Sequence, residues 1–368
     1  MENSNFFFRV DSSYQIGSGH VVRCLTLAEG LARKGASCTF ISRSLPGNLC
    51  HYIRSKGFVC LELPSDGSSD RTSGRSNGVL RHSHWLGVRW QQDASETSHI
   101  LEGFCVDWLI IDHYSICSLW EVEVRKCIAG KVMVIDDLAD RAHECEVLLD
   151  QNLGADISLY KALIPQTCLT FFGPTYALLR PEFKTYRDIS LKRRVGGGLE
   201  HIVVNFGGGD PNNYIRRTLE AFQGLDNLDD IHISIIFGAL TAITPRHREL
   251  VTQIPHEITL FQTVDNMAEM LASSDLVIGA AGVSSWERCS LGVPSVVFST
   301  AFNQENISSN LSKAEVAFVM EEDDFINGKL AQLITNLVRS DMLKLYSQNA
   351  SLITDGRGLD KVVYGLVG

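Results

Sequence analysis

The sequence predicts an α/β fold made of two domains, each a doubly wound, mostly parallel sheet. Three observations carry this. The chain has 368 residues, more than one hydrophobic core usually serves. Apolar runs of strand length recur through both halves, separated by stretches with helical periodicity. Glycine-rich turns follow directly on several of these runs, at the strand ends where such sheets bind ligands.

The elements follow in order. FFFRVD (6–11) reads as a buried first strand, because Arg9 and Asp11 end the apolar run too soon for an export signal. Gly19 to Arg33 reads as an amphipathic helix with Val21, Leu25, Ala28 and Ala32 on one face. SCTFIS and FVCLEL supply the next two strands. Residues 65–83, rich in Ser, Gly and Asp, read as a flexible surface loop. DWLIID (107–112) and KVMVID (131–136) are apolar on both faces, as strands covered by helices on both sides should be, and each ends in Asp. LKRRVGGGLE (191–200) has the composition of a hinge. Beyond it HIVVNF (201–206), HISIIF (232–237), DLVIGA (275–280) and PSVVFS (294–299) repeat the strand theme. A final helix, Leu359 to Val367, is expected to pack back on the first domain. The expected division is therefore 1–190, a hinge at 191–200, a second domain at 201–355, and a closing segment at 356–368.

Composition narrows the function. Hydrophobic residues make up 45% and charged residues 21% of the chain, which suits a protein able to bury two cores. A net charge of −10 argues against a nucleic-acid partner. No apolar run reaches membrane-spanning length, so no membrane partner and a cytoplasmic location are expected. The ten cysteines are scattered without a CxxC pair, which points to reduced thiols rather than a zinc or redox site. Neither a cofactor nor a metal is expected, and the chain should be a monomer or weak dimer.

Three constellations carry candidate chemistry. Gly17-Ser18-Gly19-His20 lies between the first strand and its helix. Glycines at Gly17 and Gly19 let backbone approach a ligand, and His20 sits in the first helical turn. The positive end of the helix dipole disfavours imidazolium there, so His20 is expected neutral and able to accept a proton. Gly207-Gly208-Gly209-Asp210 follows a strand in the second half, and Gly207, Gly208 and Asp210 are candidate ligand contacts. Phe237, at the end of HISIIF, is a further candidate. In the third, Gly279-Ala280-Ala281-Gly282-Val283-Ser284-Ser285-Trp286-Glu287-Arg288, a strand runs into a small-residue turn and a helix capped by Ser284 and Ser285. Gly282, Ser284 and Ser285 suit a diphosphate, and Glu287 suits two ribose hydroxyls. The structural alternative makes Glu287 a capping-box residue and Gly282 a packing glycine. Asn303 and Gln304 complete this set. Asp112, at the end of DWLIID, is a candidate substrate contact, whereas Asp136 and Asp137 are read as structural.

FRVDSSYQIGSGHVVRCLTLAEGLARKG, DWLIIDHYSICSLWE, KVMVIDDLADRAHECEVLLDQN, FFGPTYALLRPEF, NFGGGDPNN and IGAAGVSSWERCSLGVPSVVFS together resemble the UDP-sugar hydrolases of pseudaminic acid biosynthesis. The resemblance runs almost end to end. It implies a GT-B-like fold, two Rossmann-like domains facing across a cleft. It also implies hydrolysis of UDP-2,4-diacetamido-2,4,6-trideoxy-β-L-altropyranose to free sugar and UDP, without metal. Inverting attack of water would use the histidine of the GxGH motif, here His20, with UDP on the second domain. Ala281 and Val283 stand where the family usually has Gly and Ser, and Cys117 replaces an acidic residue. The 65–83 stretch reads as an insertion. The second half alone also resembles the nucleotide-binding half of GT-B glycosyltransferases, so an inverting UDP-sugar transferase is the alternative.

Overall fold

The computed structural model describes residues 4–65, 80–196, 198–210, 212–225, 231–300 and 304–368. Most of the expected loop at 65–83, and Asn303, lie outside the described residues. The chain divides into two compact units, Met1–Leu178 with Leu359–Gly368, and Leu179–Gly358.

The first unit is built on seven strands: β1 Asn5–Val10, β2 Ser37–Arg43, β3 Val59–Leu63, β4 Trp108–Asp112, β5 Lys131–Ile135, β6 Val147–Asp150 and β7 Leu169–Phe172. They lie in the order β3-β2-β1-β4-β5-β6-β7, with every neighbouring pair parallel. Side chains alternate across each strand, so Phe6 and Phe8 join one apolar layer and Phe7 the other. The first layer also takes Val21, Leu25 and Leu31 from the helix Gly19–Ala32, and Leu359, Val362 and Val363 from the closing helix Gly358–Val367. A Cβ at Gly30 would stand 2.9 Å from Leu359 Cδ1 and 3.0 Å from Val363 Cγ2, so a larger residue there would have to displace those side-chain ends. The apolar face of Gly19–Ala32 is wider than the sequence suggested. It includes Cys24, Leu27 and Leu31, while Ala32 is exposed.

The second unit repeats the design with β8 His201–Asn205, β9 His232–Phe237, β10 Glu257–Gln262, β11 Leu276–Ala280, β12 Ser295–Phe298 and β13 Ala317–Met320. The order is β10-β9-β8-β11-β12-β13, again all parallel. In both sheets the winding reverses beside the first strand, between β1 and β4 and between β8 and β11. Those are the switch points beyond which a ligand-binding crevice forms.

The expected hinge at 191–200 is not where the chain divides. Its first residues finish the helix Pro181–Arg193 of the second unit, followed by a 3-10 turn Arg194–Gly196. Its two arginines are spent on that unit. Arg193 Nη2 donates to both Asp275 oxygens at 3.0 Å, and the buried Arg194 donates to the carbonyls of Leu271 and Leu291. Charge that looked like a solvated linker is anchoring. Among the described residues no helix is long and apolar enough to cross a membrane.

Candidate active site

At the first switch point, β1 leads into a tight loop and then the helix that carries His20. Gly17 has φ +80°, a left-handed conformation that favours glycine, and open space lies where its Cβ and that of Gly19 would stand. His20 is buried in the first turn. Its Nδ1 lies 2.6 Å from Asp112 Oδ1, at the end of β4. Asp112 is fully buried and also receives Arg23 Nε and Nη2, each at 2.6 Å, and the Cys24 thiol at 3.5 Å. Burial alone would raise its carboxyl. The charge of Arg23, with the hydrogen bonds from Arg23 and His20, outweighs that and holds it well below the usual carboxylate range.

An ionised carboxylate only accepts hydrogen bonds, so the 2.6 Å contact places a proton on His20 Nδ1 in preference to the longer approach of Arg23 Nη2 at 3.2 Å, which could only donate. In the neutral ring Nε2 then carries the lone pair, and it takes no hydrogen bond from the described residues. The imidazole is thus oriented by a buried carboxylate and open to accept a proton at its far nitrogen. This corrects the reading of Asp112 as a substrate contact: it has no exposed surface left and is placed to orient His20. The helix dipole bears on the charge of the ring, whereas the carboxylate bears on which nitrogen is available.

Arg23, one turn after His20, was missed by sequence reasoning. Its spacing from His20 is the signal, since positions three apart share a helix face. It bridges Asp112 to Asp137, with Nη1 at 2.9 Å from Asp137 Oδ2. Tyr114 donates its hydroxyl to the same Asp137, and its ring stands edge-on to His20 with centroids 4.6 Å apart. Asp137 therefore belongs to the site's support, while Asp136 is bound by Arg141 at 2.7 Å and by the Tyr160 hydroxyl at 3.2 Å, outside it. His113 points to the other side of the sheet, where Asp11 lies 3.2 Å from its Nε2.

At the second switch point the structure keeps some candidates and removes others. Gly207 has φ +93° with open space beyond its Cβ position. A Cβ at Gly238 would stand 2.1 Å from the Gly207 carbonyl oxygen, so the end of β9 packs directly on the Gly207–Gly208 turn. Asp210 is committed to the fold. Its two oxygens accept from the backbone N–H groups of Tyr214 and Ile215, both at 2.8 Å, at the start of the helix Tyr214–Phe222. Phe237 is likewise not a ligand contact, being fully buried in the core against His247, with ring centroids 4.9 Å apart.

Around Gly282 the expected capping does not form. The helix is Ser284–Ser290 with Val283 at its N-cap and no side-chain cap. Ser285 is buried and accepts from Arg288 Nη2 at 2.8 Å, while Ser284 receives a longer contact from Nη1 at 3.4 Å. Arg288 also holds the Ala280 carbonyl at 2.9 Å, and burial brings it down to about 10. Ser285 is thus internal support, and Ser284 remains at the half-exposed turn. Gln304 lies here too, its Nε2 3.5 Å from the Cβ position of Gly282 and its Oε1 accepting from Thr300 N at 3.0 Å. Glu287 is no capping-box residue. Among the described residues no hydrogen bond reaches its carboxylate, and its nearest cation is Arg180 Nη2 at 3.7 Å. Burial raises its carboxyl, and Arg180 and Arg288 only partly offset this.

Residues 202–356 match the glycosyltransferase family 28 C-terminal domain. The chain is 26% identical over 308 residues to the UDP-2,4-diacetamido-2,4,6-trideoxy-β-L-altropyranose hydrolase of Campylobacter jejuni, covering 83% of this chain and 95% of that protein. It is 22% identical over 358 residues to the spore coat polysaccharide biosynthesis protein SpsG of Bacillus subtilis, covering 96% and 94%. An uncharacterized protein of Methanocaldococcus jannaschii is 23% identical over 291 residues, and the chain spans 54% of its length. Among solved structures, MurG of Acinetobacter baumannii superposes with a TM-score of 0.69 at 13% identity, covering 99% of both chains. The calicheamicin glycosyltransferase CalG4 gives 0.60 at 13% identity, covering 100% and 99%.

The chain has a GT-B fold and is similar in sequence to the trideoxy-sugar hydrolase. This GT-B protein places its GxGH histidine and its small-residue turn at equivalent switch points of two sheets with the same winding.

Proposed function

We propose that this GT-B protein hydrolyses a UDP-activated 2,4-diacetamido-2,4,6-trideoxy sugar to the free sugar and UDP. The observation that carries the reading is the buried Asp112 carboxylate 2.6 Å from His20 Nδ1, which leaves Nε2 as an oriented base. Water attacks the anomeric carbon and gives its proton to His20 Nε2, while the bond from that carbon to the phosphate oxygen breaks and UDP departs with the electron pair. One displacement inverts the centre and needs no covalent intermediate. The second unit takes UDP, with backbone at Gly207, Gly208 and Gly282 beside the diphosphate and the Glu287 carboxylate on the ribose. The similarity to the Campylobacter hydrolase supports the choice of sugar.

The match to the glycosyltransferase family 28 domain favours a second reading, an inverting transferase. The same base would then deprotonate an acceptor hydroxyl in place of water. Incubation of the purified protein with the UDP-sugar in oxygen-18 water, with no acceptor, separates the two. The hydrolase reading expects UDP release with label in the sugar. UDP release only on addition of an acceptor sinks it, and label in UDP would place cleavage at phosphorus.

A further inference from the structure

At the end of the stretch that reads as an insertion, a short 3-10 turn spans Ser83–Leu86 in the first unit. Its anchors are clear. Leu86 is buried in the apolar layer of Phe7 and Ile41. Ser115 donates its hydroxyl to the His82 carbonyl. The closing Gly87 has φ +75°, which glycine adopts without strain. So held, the turn sets Trp85 nearly parallel to the Tyr114 ring, with centroids 5.6 Å apart and planes 28° from one another. Trp85 also stands edge-on to His20, at 6.4 Å between centroids. His82 closes the group, 4.4 Å from Trp85 and 5.4 Å from Tyr114.

A large aromatic ring that is only half-buried beside a candidate base has apolar surface left for something else. His82 adds no cation to the wall: desolvation moves it downward, against a smaller opposing effect of Asp140, so it stands neutral at pH 7. We propose that Trp85, backed by His82 and Tyr114, is a specificity-determining platform for the apolar face of the sugar ring, favouring pyranoses that carry methyl groups over hydroxyl-rich ones. The platform rests on the reading of His20 as the base acting at the sugar. A C6 methyl or an acetamido methyl gains by covering indole surface, whereas a hydroxymethyl group placed there loses water without gaining a hydrogen bond.

The test uses the full-length protein and two probes. Saturation-transfer NMR with the free 2,4-diacetamido-2,4,6-trideoxy sugar should show strong transfer to its methyl protons. Trp85→Ala should lose most of it and Trp85→Phe should keep most of it. In turnover, Trp85→Ala should lower kcat/KM for the UDP-trideoxy sugar about 10–200-fold, the scale of a lost apolar contact, chiefly through KM. The ratio of that kcat/KM to the one for UDP-N-acetylglucosamine should narrow. Unchanged methyl transfer and KM in Trp85→Ala would overturn the platform. So would parallel losses of thermal stability and UDP affinity in both variants, which would make Trp85 a structural residue, and so would an absence of methyl transfer to the wild type. Methyl transfer without UDP release sinks the hydrolase reading and leaves the platform standing. UDP release with no difference between wild type and Trp85→Ala does the reverse.

Discussion

His20 owes its proton pattern to a carboxylate at the end of β4, the strand beside β1, and that dependence can be measured. His20→Asn removes the base but keeps a polar group of similar size. Turnover should fall by on the order of 10²–10⁴, while UDP affinity by calorimetry and the melting temperature hold. Near-normal turnover would take the histidine out of the mechanism. Asp112→Asn should cut turnover by on the order of 10³–10⁴, because an amide no longer dictates which ring nitrogen carries the proton. It also leaves the buried Arg23 with Asp137 as its remaining carboxylate, so only part of the about 3–5 kcal/mol cost of breaking a buried pair is expected. The melting temperature must therefore be read beside kcat. The sign of the acid response follows from Asp112's depressed carboxyl. Its contribution to stability is present above the ordinary carboxylate range and is lost as pH falls through the folded-state value. Some of this was readable in the sequence. GSGH after a strand marked His20, but a 2.6 Å pairing between residues 92 positions apart has no local signature.

The carboxyl ends of parallel strands gather acids whether or not a site needs them. β4, β5 and β6 end side by side and bring Asp112, Asp136, Asp137 and Asp150 to one rim of the sheet. Asp150 is pushed up to about 8, first by burial and then by Asp137 and Asp136. It stays protonated at neutral pH while the unfolded chain's aspartate ionises. The stability it allows is full below the ordinary aspartate range and is lost as pH rises toward about 8. Asp150→Asn keeps the acceptor for Asn152 N and removes the ionisation. It should raise the melting temperature by on the order of 5 °C at pH 8, and by less at pH 5. An equal change at both values would show that the shift is not the cause. The strands that sequence reading passed over, β6, β7, β10 and β13, were hidden by their form. Three have only four residues, and β10 is a half-buried edge strand. Asp210 and Phe237 show the converse. Both occupy strand-end positions typical of ligand contacts, yet helix capping and core packing claim them.

Across the whole molecule, two sheets with the same winding bring separate chemistry to their own switch points: an oriented base on one unit, and on the other an open turn with a carboxylate that has no hydrogen-bonded partner among the described residues. If the units divide the labour, binding and turnover should respond to different substitutions. Glu287 decides the matter on the UDP side. It has 19% of its side chain exposed, and Arg180 is too distant, at 3.7 Å, for a hydrogen bond. A buried acid without donors costs stability, and two hydroxyls of a ribose would supply them. Glu287→Gln retains the shape but gives up the charge that strengthens those bonds. Calorimetry should show UDP bound about tenfold more weakly, near 1.4 kcal/mol, with uridine affected alike and inorganic pyrophosphate hardly at all. At saturating substrate kcat should stay close to that of the wild type, the reverse of the His20→Asn pattern. Equal weakening of pyrophosphate and UDP would move Glu287 from the ribose to the phosphates. A fall in kcat with UDP affinity intact would show that the division between the units is not the one drawn from the two switch points.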